Sequence, residues 1–461
     1  MPSSATAPAW RRALEAALPS GRVVADPDIL ESHRYDHASL VDAGVPAVLV
    51  RARSTAEVQA VMRVAHEHRV PVVPRGAGSG LAGGANAIDG CIVLSLAAMN
   101  RILAVDPAAM IAVVEPGVIN AELGRAVKTH GLFYPPDPAS YEMCTIGGNV
   151  ATNAGGLCCV KYGVTRESVL GLEVVLADGS LLRCGSATIK SVAGYDLTRL
   201  FIGAEGTLGV VTQVTLRLRP KPPPAATLAA FFPSMAAAGE AIERIVHDRT
   251  PALLEIMDRA TLRAVEAWKP MELDTDAAAM LIARSDAADP GAEIERFAAI
   301  CDAAGASELA HSDDEAEGEM LMAARRLCYP ALERMGSTLL DDVAVPISRI
   351  PEMFAATEAI AARFGLTIGN FGHAGDGNLH PTIVFDARDP DSLARTRAAF
   401  DALVEDALRL GGTVTGEHGV GLLKRGVLAQ EIGDAGVHVH KAIKQALDPR
   451  GILNPGKLVP D

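Results

Sequence analysis

The sequence predicts an α+β chain of two main domains, and three observations carry that prediction. Short apolar runs bounded by glycine and proline alternate with helical periodicities through both halves. A stiff Lys221-Pro222-Pro223-Pro224 run follows a completed strand, as a linker does. The glycine-rich run at residues 74–85 sits in the wrong context for a Rossmann fold. Its Gly78-Ser79-Gly80-Leu81-Ala82-Gly83 fits G-x-G-x-x-G, but that fingerprint follows a strand and opens a helix. Here Pro71 and Pro74 lead into the loop and a strand at 91–96 comes after it. Successive bare N–H groups in such a loop make an anion-binding concavity. The run is therefore read as the cradle of a phosphate-bearing cofactor in another fold.

A chain of 461 residues, 49% apolar and 21% charged, is globular and long enough for two or three domains. Its formal net charge of -14 excludes phosphate-backbone binding by a basic surface, so no nucleic-acid partner is expected. No apolar run reaches the roughly 18 residues of a membrane span. Met1 to Trp10 lacks the basic and apolar regions of a signal peptide. A cytoplasmic protein is expected, with loose association to a membrane respiratory chain left open. The 7 cysteines are odd in number and nowhere form C-x-x-C. That argues against a disulfide framework, a zinc ribbon or an iron–sulfur cluster.

In chain order, Trp10, Leu14 and Leu18 mark a helical lead-in over residues 1–42. A strand at 47–50 and a helix capped by Ser54 and Glu57 follow, the pair forming a capping box. Strands at 70–73, 91–96 and 111–114 flank the glycine loop, and a helix runs from Asn120 to about His130. Tyr134-Pro135-Pro136-Asp137-Pro138 is rigid and extended. Two more clusters of glycine and small polar donors come next, Thr145 to Asn149 and Thr152 to Gly156. With the opening loop they suggest one long ligand laid across several loops. Strands at 169–176, 181–184 and 210–218 precede the proline boundary. Beyond it, strand–helix–strand order recurs through residues 227–310, which suggests helices packed on one side of a sheet. The acidic run at 313–319 reads as a solvated loop and helix start.

The sharper constellation is C-terminal. His373-Ala374-Gly375-Asp376-Gly377-Asn378-Leu379-His380 lies between apolar strands at 366–371 and 382–385. A glycine-rich reversal there brings the two histidines together, with Asn378 and His380 on one strand face. Gly416-Glu417-His418-Gly419 follows. Two imidazoles and one carboxylate, His373, His380 and Glu417, are a usual set for a divalent metal with positions left open for substrate. The same set suits a non-haem iron facial triad, and that reading stays open.

These motifs, taken in order, resemble the FAD-linked oxidoreductases acting on D-2-hydroxy acids: D-lactate dehydrogenases, the FAD subunit of glycolate oxidase and D-2-hydroxyglutarate dehydrogenases. The resemblance runs from about Ala43 to Pro460. It rests on residues 74–85, 135–138 and 145–156, Gly194-Tyr195-Asp196, residues 203–211, 373–380 and 416–419, and Asn454-Pro455-Gly456-Lys457. It implies an FAD domain of the p-cresol methylhydroxylase or vanillyl-alcohol oxidase type over residues 43–222. An α+β substrate domain with an antiparallel sheet would follow over 223–461, its last segment returning to the flavin domain. Pro74, Arg75, Gly76, Ala77, Gly78, Ser79, Gly80 and Gly83 would cradle the pyrophosphate of a non-covalent FAD. Pro136, Asp137, Thr145, Gly147, Gly148, Asn149, Thr152, Asn153, Gly155 and Gly156 would line the flavin. Glu205, Gly206, Gly209 and Val211 would follow the adenosine side, and Asn454 would join the cofactor set.

The resemblance further implies that His373, His380 and Glu417 hold zinc or manganese. His418 would be the base, Asn378 a substrate or supporting hydrogen-bond partner, and Arg325 a clamp for the substrate carboxylate. Without the resemblance, Arg325 reads as half of a solvated Arg325-Arg326 pair. Leu340 stands where hydroxyglutarate-specific relatives carry lysine, whereas Tyr329 and residues 342–348 look like the lactate or glycolate branch. Electrons would pass to a quinone, a cytochrome or an electron-transfer flavoprotein, and a homodimer is one expected assembly. An H₂O₂-forming oxidase, one subunit of a multi-protein oxidase, and a non-catalytic flavin-binding subunit are the alternatives.

Overall fold

The computed structural model describes residues 7–459. Residues 1–6, part of the stretch searched for a signal peptide, lie outside the described residues, as do Pro460 and Asp461. The chain divides into two compact units. Unit 1 takes the described residues up to Gly156, Gly163–Lys221 and those from Glu417 onward; unit 2 takes Leu157–Tyr162 and Pro222–Gly416.

In unit 1, Val48–Arg51, Ile92–Ser95 and Val72–Arg75 form a parallel sheet. Parallel neighbours need long connections. These are the helix Thr55–His68 and then the glycine-rich loop. The helix begins where Ser54 accepts the Glu57 amide at 3.3 Å and ends at Arg69, left-handed at φ 54. Its Val58, Val61, Met62 and Ala65 are buried in one cluster with Val48, Val50, Val72, Ile92 and Leu94. The expected capping box is half made, because the Glu57 carboxylate turns to the Arg53 amide and the Arg22 guanidinium, each at 2.9 Å. The lead-in gives a helix, Ala9–Ala17, and also an edge strand, Val23–Val24, paired antiparallel to the same sheet. On Val72 the late segment returns: the Val72 amide donates to Ile452 O and its carbonyl accepts the Asn454 amide, both at 2.8 Å.

The second sheet of unit 1 is antiparallel, in the order Ile102–Asp106, Ile111–Val114, Val210–Arg217, Val169–Val175, Leu181–Gly185. Its central strand Val210–Arg217 alternates buried and half-buried positions, so one face carries the core. Val214 and Leu216 pack with Ile146, Val150, Phe201 and Leu208. This core sets the floor on which Ile146–Thr152 and residues 203–209 are held.

Unit 2 is built on a seven-stranded sheet: Glu308–Ser312, Ala226–Phe232, Ala279–Ser285, Leu253–Asp258, Phe371–His373, Asn378–Leu379, Val343–Ala344. Helices were expected on one side. Instead Ala226–Phe232 is buried at every position, which requires cover on both faces. Leu262 and Val265 of one helix and Cys328 and Leu332 of another pack with Ala229 and Phe231. The helices Met235–Asp248 and Pro290–Ala303 contact the strands as well. The apolar run at 366–371 is not one strand. Thr367–Gly369 joins a three-stranded sheet with Thr382–Phe385 and Ser337–Leu340, while Phe371–His373 joins the large sheet. The break falls at Asn370, whose amide donates to Asp258 Oδ2 and whose carbonyl accepts the Asp258 amide, both at 3.0 Å.

Candidate active site and cofactor groove

A groove with about 1450 Å³ of empty space, part of it open to solvent, runs through unit 1. Pro74, Arg75, Gly76, Ala77, Gly78, Ser79 and Gly80 line it, as do Thr145, Gly147, Gly148, Asn149, Thr152 and Gly155. Glu205, Gly206, Gly209 and Val211 form another part of the wall, and Glu417 and His418 face it too. Three loops separated in sequence thus converge on one space, as a ligand laid across several loops needs. Thr145 caps the helix Ile146–Thr152 by accepting the Gly148 amide at 3.2 Å, which fixes the second loop.

Arg75 lines the groove, and its side chain also braces the loop. Its guanidinium is buried and donates to Tyr35 O at 2.8 Å and Ala85 O at 3.4 Å, so it props the two ends of the loop together with the segment before it. Gly78 rests on that prop at φ 76, where a Cβ would run into the guanidinium. Among the described residues the groove lining does not include Gly83, Pro136, Asp137, Asn153, Gly156 or Asn454. Each of these has contacts within the fold. Gly83 approaches Val41 and Leu422, and Gly156 packs on Asp137. Pro136 O accepts from Asn120 at 3.0 Å. Asn153 ends its helix in the left-handed region, and Asn454 Nδ2 donates to Gly84 O at 2.9 Å and Glu205 O at 2.7 Å.

Unit 2 holds the histidine pair. Phe371–His373 and Asn378–Leu379 form a tight hairpin that places His373 opposite Asn378. The His373 and His380 ring centroids are 5.1 Å apart in a T-shaped arrangement, as the glycine-rich reversal implied. Both rings are buried. His373 Nδ1 lies 2.8 Å from Glu255 Oε1, and Glu255 Oε2 accepts Arg325 Nε at 2.6 Å. Arg325 is therefore not one of a solvated pair: its side chain is 11% exposed, and its guanidinium stacks 4.9 Å above the Phe371 ring. Asn378 Nδ2 donates to Asp342 Oδ1 at 2.7 Å, a supporting place in the site. Asp342 Oδ2 accepts Thr415 Oγ1 at 2.7 Å and the Gly416 amide at 2.9 Å, and Oδ1 lies 3.8 Å from His380 Nδ1.

This donor chemistry suits a metal-binding imidazole. A carboxylate on Nδ1 holds the proton there and leaves Nε2 as the ligand atom. Sequence reasoning missed Glu255 altogether and used residues 342–348 only as a marker of substrate branch. A signal was present in both places, since Glu255 interrupts Leu253-Leu254-Glu255-Ile256-Met257 and Asp341-Asp342 interrupts another apolar run. An acid fully buried in a strand needs a partner.

Comparisons with known proteins bear on both units. Residues 221–458 match the C-terminal domain of FAD linked oxidases, and residues 46–185 match an FAD binding domain. Glycolate oxidase subunit GlcD of Bacillus subtilis (strain 168) is 45% identical over 418 residues, 90% of this chain and 89% of that one. A D-lactate dehydrogenase of Anaerostipes hadrus is 35% identical over 450 residues, covering 95% and 94%. The crystal structure of p-cresol methylhydroxylase with substrate bound shares the fold, with a TM-score of 0.82 at 19% identity over 98% and 96% of the two chains. No helix among the described residues is long and apolar enough to cross a membrane.

Proposed function

The chain belongs to the FAD-linked oxidases, and from that premise we propose that it oxidises a D-2-hydroxy acid of lactate or glycolate size to the 2-oxo acid. One observation carries the reading: the buried Glu255 carboxylate holds the His373 imidazole on one oxygen and the Arg325 guanidinium on the other. That joins, on one carboxylate, an imidazole left with Nε2 free to act as a ligand and a group suited to the carboxylate of a hydroxy acid. We assign His373, His380 and Glu417 as holders of a divalent ion, zinc or manganese. Such an ion supplies Lewis acidity at the substrate hydroxyl, and bound FAD supplies a two-electron acceptor.

The chain's own residues do the rest. Arg325 orients the substrate carboxylate, with Glu255 and the Phe371 ring fixing the plane of its guanidinium. His418, in the wall of the groove, takes the hydroxyl proton on a ring nitrogen as the hydrogen on Cα leaves with its electron pair. His418 must be neutral to do so, and acid therefore slows the reaction. Asn378 and Asp342 tie the hairpin to the strand Val343–Ala344 and to Thr415 and Gly416. Leu340, in place of a lysine, is apolar where a longer dicarboxylate would call for a cation, which weakens that substrate class.

The test is anaerobic mixing of the flavin-loaded protein with D- and L-lactate, glycolate, malate and 2-hydroxyglutarate while flavin absorbance is followed. D-lactate or glycolate should bleach the flavin fastest, and His418→Ala should stay yellow but lose bleaching. Failure of every hydroxy acid to reduce the wild-type flavin sinks the reading. The relatives named as subunits favour a second form of it, in which reoxidation needs a partner chain that passes electrons on to a quinone, cytochrome or electron-transfer flavoprotein. Steady oxygen consumption by this chain alone would remove that form.

A further inference from the structure

Glu205 stands apart in the groove wall. It is a non-glycine residue at φ 50, a conformation that costs about 1 kcal/mol and persists only where neighbours impose it. The neighbours are identifiable: its amide donates to Ala151 O at 2.8 Å, and its carbonyl accepts Asn454 Nδ2 at 2.7 Å. The backbone twist aims a buried carboxylate at the segment that follows His418. Oε1 accepts the Val420 amide and Oε2 the Gly421 amide, each at 2.8 Å. Between His418 and those amides lies Gly419 at φ 88, where a Cβ would stand 2.9 Å from Oε1. The Leu422 and Leu423 amides then close on Ala82 O at 2.8 and 3.1 Å, inside the glycine-rich loop. The resemblance assigned Glu205 to the adenosine side of the cofactor, but here both of its oxygens accept backbone amides.

We propose that Glu205 is a positioning residue that clamps the segment after His418 and so sets the aim of that imidazole into the cofactor groove. The inference rests on His418 being the base proposed above. Two consecutive amides on one carboxyl group fix a backbone, and more firmly once the group is ionised and the bonds are charge-assisted. A misplacement of about 1 Å at a reacting group can cost about 100-fold in rate. Burial pushes the Glu205 carboxyl up to about 7, against the pull of the two amides and of Lys457, with Asp36 as the other charge that faces it. Nothing else among the named contacts of Glu205 reaches the base segment, so the clamp is local and testable by one atom.

Glu205→Gln makes that change. A carboxamide offers one acceptor oxygen to two amides and turns its NH₂ toward the other N–H. In the flavin-loaded variant, FAD affinity should stay within about 3-fold of wild type. The limiting rate of flavin reduction by D-lactate or glycolate should fall at least about 10-fold, with substrate Kd within about 3-fold, because orientation and not binding is lost. Hydrogen exchange at Val420 and Gly421 should speed up about 10-fold. Unchanged reduction together with unchanged exchange overturns the proposal, as does loss of FAD with exchange at wild-type rates. Should Glu205→Gln not fold, Gly419→Ala is read by the same criteria, its Cβ pressing on Oε1; a wild-type reduction rate there overturns the clamp. If no hydroxy acid reduces the wild-type flavin, the functional reading falls by itself. The exchange comparison then decides whether Glu205 holds the segment.

Discussion

Glu255 has no exposed surface and two cationic or N–H partners, so its charge is fully committed inside unit 2. Removing that charge leaves Arg325 buried against a neutral amide whose NH₂ group opposes a donor. We expect Glu255→Gln to bind FAD normally. It should retain less divalent metal after gel filtration and reduce its flavin about 10- to 100-fold more slowly, the range seen when partners of metal-binding histidines are lost. Metal content by mass spectrometry, with stopped-flow absorbance, checks it; wild-type values for both would show Glu255 to be only a core ion pair. A different residue-scale prediction belongs to Gly78. Its φ of 76 and its contact with the Arg75 guanidinium leave no room for a side chain, so Gly78→Ala should lose FAD while unit 2 stays folded. Fluorescence of released flavin measures that. The histidine pair was legible because glycine-rich spacing forces a reversal. The Glu255 contact was not, since a strand's sequence does not say which distant strand it meets. The direction of the Arg75 side chain was not legible for a related reason: a cation beside a phosphate-type loop can face it or brace its backbone.

At the scale of elements, the strand break at Asn370 and the start of the helix Arg259–Trp268 depend on the same carboxylate. Asp258 Oδ1 accepts the Thr261 amide at 2.8 Å as a helix cap, and Oδ2 accepts the Asn370 amide at 3.0 Å. Burial pushes this carboxyl up to about 6, with Glu358 as the charge that adds to the rise. The unfolded chain therefore ionises Asp258 at lower pH than the folded one does. Its contribution to stability is complete below about pH 4 and declines as pH rises through about 6. Asp258→Ala should destabilise by about 1–2 kcal/mol for the lost cap, and the gap in Tm from wild type should be wider at pH 5 than at pH 7.5. Thermal melts at the two pH values test it; a gap that widens with pH would mean the carboxyl is stabilised as the anion. The sequence suggested one continuous strand here because Leu366, Ile368 and Phe371 set an apolar tone across 366–371. The distant Asp258, through its carboxylate and its amide on the Asn370 backbone, marks the division between two sheets.

For the whole molecule, chain order and compactness part company. Unit 1 is assembled from three stretches, and the last of them sits on its first sheet and on the glycine-rich loop. Lys457 is central to that return. Its ammonium is buried and donates to Asn86 O at 2.6 Å, Gly84 O at 3.2 Å and Asn454 Oδ1 at 3.2 Å, and burial lowers it to about 8. The proline run at Lys221 to Pro224 is a local mark of the passage from unit 1 to unit 2. The short excursion Leu157–Tyr162 into unit 2 carries no comparable mark. It is held there by Lys161 and Tyr162 on Asp286, a residue more than a hundred positions away. Long-range assembly of this kind is decided by polar groups that find partners only after the chain has folded. Lys457→Met tests it, because methionine keeps the bulk and removes the ammonium, so Asn86 O and Asn454 Oδ1 lose its bonds while Gly84 O keeps the one from Asn454 Nδ2. Each unsatisfied buried acceptor costs about 1–3 kcal/mol. Flavin release on heating should come several degrees earlier in the variant, while limited proteolysis of unit 2 proceeds at the wild-type rate. Equal loss in both units would show that the late segment acts as a general clasp and not as the support of the cofactor loop.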